Sequence, residues 1–85
     1  GAVFEELKKE SLKYYNINSG IKVISLNKGE FKAIGIKQGF IVTHIDKNAV
    51  KTINDLKNII KNKKSSTLIE GIYSNGLKGY FVLDI

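Results

Sequence analysis

Cysteine, arginine and methionine are missing from the 85-residue chain, and histidine occurs once. Without cysteine there is no disulfide, no thiol nucleophile and no thiolate metal site. The same absence suits any redox compartment, including an oxidising one. Without methionine, and with Gly1 in first place, the sequence is expected to be a fragment or processed product of a larger protein. No apolar run approaches the ~18 residues that a membrane span requires, and nothing at the start reads as a signal, so membrane insertion is not expected. What is present amounts to one small domain. A chain of this size buries roughly 60% of the surface it exposes unfolded, and so stands alone with little margin.

The net charge of +6 comes from 14 basic residues, all of them lysine. Lysine gives solubility and loose attraction to phosphates, whereas arginine supplies the bidentate fork that reads guanine and phosphate. The lysines are spread along the chain, with one cluster at Lys57, Lys61, Lys63 and Lys64. That cluster falls on a predicted helix and its C-terminal end, where cations complement the helix dipole. It reads as a solvated face, and no nucleic-acid partner is expected.

Along the chain, GAVFE reads as a strand. From Glu6 to about Tyr15 the spacing of Leu7, Leu12 and Tyr15 predicts an amphipathic helix. Ile21, Val23 and Leu26 alternate with polar residues as a half-buried strand, with Ile24 breaking the strict alternation. Asn27 to Gly29 is a turn, Phe31 to Ile34 a single helical turn, and Gly35 allows a reversal. FIVTHI, opened by Gly39, is nearly continuous apolar and is expected at the centre of its sheet. Asp46 to Asn48 is a tight turn. Thr52, with Asp55 three residues on, resembles a capping box and starts a helix over Ile53 to about Asn62. Thr67 to Ser74 and Gly79 to Asp84 are strands joined through the hairpin signal Asn75-Gly76, with Gly79 read as a bulge. The expected fold is α+β: five to six short, mostly antiparallel strands forming a partly open barrel or sandwich closed by two helices.

No constellation for catalysis is legible. Nucleophile, base and orienting group must lie within mutual reach. The lone His44 sits on the outward side of FIVTHI, as a structural or exposed residue rather than a base. None of the six serines occupies a G-x-S-x-G setting. One histidine without cysteine offers no metal-ligand spacing, and GEFKAIG lacks the ending of a phosphate-binding loop. No catalytic residue, metal site or cofactor is expected.

What remains is a binding surface. A β-rich fold with an edge strand beside an amphipathic helix accepts a peptide as an added strand, and pockets between strand and helix select alternate side chains. On the Ile53 helix, Leu56 and Ile59 share one face and should anchor it to the core. Ile53, Lys57 and Ile60, at i, i+4 and i+7, form an adjacent stripe that is either core rim or groove lining. Lys57, a charge between two isoleucines, is the member least explained by packing.

The series GAVFEEL, SGIKVISL, KGEFKAIGIKQGFIVTHIDKNAV and TINDLKNIIK, closed by the NG hairpin, resembles a bacterial PDZ domain along the whole chain. More narrowly, it is similar to the C-terminal PDZ of the HtrA/Deg-type serine endopeptidases. The resemblance implies a permuted topology in which the carboxylate-binding loop comes first. Here that loop ends at Gly1, the peptide-pairing strand is Ala2, Val3 and Phe4, and Ile53, Lys57 and Ile60 face the peptide. The aliphatic residue and its neighbour that usually precede the loop glycine are not in this chain. Two further departures are the lack of Pro between Lys28 and Phe31, and Gly39-Phe40 where the family often has Gly-Asp. The resemblance implies a non-catalytic module of a periplasmic or envelope-located protease. Its partners would be extended or C-terminal segments of unfolded proteins, or alternatively the protease and neighbouring PDZ domains of the parent oligomer, for assembly or regulation.

Overall fold

The computed structural model describes residues 2–84. The elements are β1 (Ala2–Glu6), α1 (Lys9–Tyr15), β2 (Ile21–Leu26), α2 (Glu30–Ala33), β3 (Ile41–Ile45), β4 (Asn48–Ala49), α3 (Ile53–Lys61), β5 (Thr67–Ile72) and β6 (Lys78–Leu83). Five strands form one antiparallel sheet in the order β1-β2-β3-β5-β6, and the short β4 pairs with β3. This is the expected α+β architecture. The apolar run FIVTHI forms the central strand, and Phe40, Ile41, Val42 and Ile45 are all buried. The helical turn expected at Phe31 is the four-residue α2, a third helical element.

Two breaks in side-chain alternation are β-bulges. Val3 pairs with Ser25 and Phe4 with Val23, so Ile24 is the extra residue on β2. Val42 pairs with Gly71 and His44 with Glu70, so Thr43 is the extra residue on β3. A bulge adds one residue to a strand and so shifts the inward face by one position. That explains why Thr43 is buried with its apolar neighbours, its hydroxyl donating to the Glu70 carbonyl at 3.3 Å.

Gly79, by contrast, is not a bulge: the β5–β6 register runs without interruption from Thr67↔Leu83 to Ile72↔Lys78. Its role is to leave room. Gly71 and Gly79 face each other across the two strands, and the Phe40 ring lies against both. The hairpin closes through Gly76, whose φ of 85° requires the left-handed region that glycine enters freely. Its N–H donates to the Tyr73 carbonyl at 2.9 Å.

The first helix begins later than its periodicity indicates. Glu6 pairs with Ile21 as the last residue of β1, so sheet pairing takes residues that local propensity assigns to the helix. The second long helix starts as expected. Thr52 Oγ1 accepts from the Asp55 N–H at 3.0 Å, and Asp55 Oδ2 accepts from the Thr52 N–H at 3.2 Å. The Ile53 N–H donates to Glu6 Oε2 at 3.0 Å, which fastens the start of α3 to the end of β1. This contact fixes how strand and helix face each other.

Candidate binding groove

β1 is the first strand in the sheet order, so among the described residues it pairs with β2 on one side only. Between it and α3 runs a groove of about 480 Å³. Ala2, Phe4, Leu26 and Leu56 contribute apolar side chains to it, and Phe31 and Ile60 complete the apolar set. The floor is stiff. Phe31 and Leu56 are buried, and the Phe4 ring meets the Phe31 ring edge to face with centroids 5.7 Å apart. Such aromatic pairs are worth about 0.5–1.5 kcal/mol beyond their area burial, and this one orders the β1 side of the groove before any ligand arrives.

Of the residues singled out from the sequence, Ala2, Phe4, Lys57 and Ile60 line this groove. Val3 does not: it is 56% exposed and is not among the lining residues. Its place in an edge strand still leaves its backbone available. Ile53 packs against the core at the start of α3 and is not among the lining residues. Gly1 lies outside the described residues. The i, i+4, i+7 stripe is thus split, with core packing at its first position and groove lining at the other two. Leu56, expected as a core anchor, serves both surfaces.

Sequence reasoning missed the second wall, made by residues 27–32 with Lys28 and Lys32, and also Lys61 on α3. Lys61 was within reach as the i+4 neighbour of Lys57. The 27–32 segment was not, because it joins the groove only through the pairing of Ala2 with Leu26.

A smaller hollow of about 350 Å³ lies over the other face of the sheet, with His44, Glu70 and Tyr80 in one cross-strand row. His44 Nδ1 is 3.0 Å from Thr43 Oγ1, and Glu70 Oε1 is 3.2 Å from Lys47 Nζ. Among the described residues no group of three or more His, Cys, Asp or Glu side chains is placed to hold a metal ion. No described helix is long and apolar enough to cross a membrane.

The free edge of β1 facing α3 across an apolar hollow is the arrangement that strand addition requires. Residues 1–66 match the family described as PDZ-like domain, and the chain belongs to that family. Domains of this family are protein-interaction modules, generally without catalytic function. No curated protein matches the chain closely enough to count as a relative.

Proposed function

We propose that this domain captures extended or C-terminal segments of unfolded proteins by adding them as a strand to β1, with apolar side chains seated between Phe4, Leu56 and Ile60. The observation that carries this reading is the unpaired edge of β1 beside a preformed apolar groove. The resemblance of A-x-G-I-K-x-G-F-I-V and of the Asn-Asp-Leu helix to HtrA-type domains supports a parent serine endopeptidase in the periplasm or cell envelope. The domain would hold substrate there while a separate domain cuts it. Affinity is expected to be micromolar or weaker, because a short peptide loses its own ordering entropy on binding.

A second reading, assembly or regulation through contacts with the protease or neighbouring PDZ domains, is favoured by one observation. Leu77, Tyr80 and Val82, on and beside the opposite edge strand β6, are 66%, 57% and 54% exposed. Titrating the chain against a random C-terminal peptide library separates the two. Selection of peptides with an apolar last residue supports capture. No selection by the folded chain, together with self-association lost on Tyr80→Lys, would move the function to assembly.

A further inference from the structure

The apolar floor of the groove is rimmed mainly by positive charge. Lys57 and Lys61 project from α3, and Lys28 and Lys32 from the facing 27–32 segment, so each wall carries two lysines. Glu30 is the one acidic residue among the lining, and its carboxylate lies 3.7 Å from Lys63 Nζ, outside the groove lining. Among the described residues, none of the four lysines has a carboxylate within 4.0 Å. The chain as a whole carries 14 lysines to 8 acidic residues, so four to one at the groove exceeds what even spreading would place there.

Local structure accounts for only part of this. Lys61 sits in the last turn of α3, where a cation suits the helix dipole. Lys57 lies a turn earlier, and the two stand at i, i+4, a like-charge spacing that costs a helix a few tenths of a kcal/mol. Nothing in the packing of α3 requires that pair, and nothing in the fold requires a second pair opposite it.

Resting on the peptide-capture reading, we infer that the groove selects extended segments in which apolar residues alternate or mingle with Asp and Glu, the acidic side chains pairing with Lys28, Lys32, Lys57 and Lys61. Peptide fits better than nucleic acid. The space between the cationic walls is floored by Phe4, Leu26, Phe31 and Leu56, and there is no arginine to grip phosphate in a bidentate fork. Exposed pairs of this kind are individually weak and screened by salt. Their effect is to rank ligands that the apolar floor already holds.

The test uses the chain as it stands with two short peptides, one alternating valine and glutamate, the other valine and glutamine, each as free acid and as C-terminal amide. The glutamate peptide is expected to bind roughly fivefold tighter, in both forms, with the advantage fading at high salt. Lys57→Glu combined with Lys61→Glu should abolish the advantage, so that the glutamate peptide binds no tighter than the glutamine peptide. Lys9→Glu with Lys78→Glu, the same change of net charge away from the groove, should leave both unaffected. Equal binding of the two peptides would overturn the acidic preference while leaving capture intact, as would an advantage lost on amidation, which would assign it to the chain end. Displacement of the glutamate peptide by an oligothymidylate of equal charge would overturn peptide selectivity. Absence of binding by either peptide would overturn capture and preference together.

Discussion

Gly71→Ala is expected to destabilise the domain by about 3 kcal/mol, lowering its thermal midpoint by roughly 12–24 °C. A Cβ at this position would collide with the carbonyl oxygen of Ile41 and come within 2.6 Å of the Phe40 ring. Overpacking a core typically costs about 1–3 kcal/mol, and the upper end applies because the obstacle is backbone in the central strand rather than the end of a flexible side chain. Domains hold about 0.05–0.15 kcal/mol of stability per residue, so the change removes a large share of what this chain has. Gly79→Ala supplies the comparison. Its Cβ would meet Phe40 and Tyr73 ring carbons at 2.8 and 2.9 Å, and rings turn more readily than a strand shifts. Thermal or denaturant unfolding should rank Gly71→Ala as the more damaging, and equal midpoints for the two variants would contradict this account of the glycine pair.

The largest effect on binding is expected from Ile60→Gln, which should weaken an apolar-ended peptide roughly thirtyfold while leaving the fold in place. Ile60 is half-buried, packing on the core from below and lining the groove above. Burying an isoleucine is worth about 1.5–3 kcal/mol, and part of that is realised only when a ligand covers it. Glutamine keeps much of the length and is a good helix former, so α3 survives while its groove face becomes polar. Isothermal titration alongside circular dichroism checks both halves. Unchanged affinity in a folded variant would place the ligand elsewhere.

Features that depend on near neighbours could be read directly from the residues. The Thr52–Asp55 capping box and the Asn75-Gly76 turn are each complete within a few positions, and both are in the structure. The apolar continuity of FIVTHI placed the central strand, because burial on both faces leaves no polar alternation. The irregular Ile24 was visible as an anomaly, and the bulge opposite Val3 and Phe4 supplies its cause. Features that depend on distant neighbours were not legible. Gly79 looks like a bulge in its own strand, yet what it accommodates is Phe40, far earlier in the chain. Glu6 reads as helix until Ile21 is known to pair with it. Half of the groove rim escaped notice for the same reason: Lys28 and Lys32 come to face Lys57 only once β1 lies along β2 and α3 is fastened to Glu6.

A ligand is expected to attach at the edge of β1. Amide spectra of the 15N-labelled chain, recorded with and without a valine-ended peptide, test that directly. Shifts are expected to concentrate at Ala2–Glu6 and Lys57–Lys61, with the β1 amides also gaining protection from hydrogen exchange. Changes centred instead on β6 around Tyr80 and Val82, with β1 untouched, would contradict it.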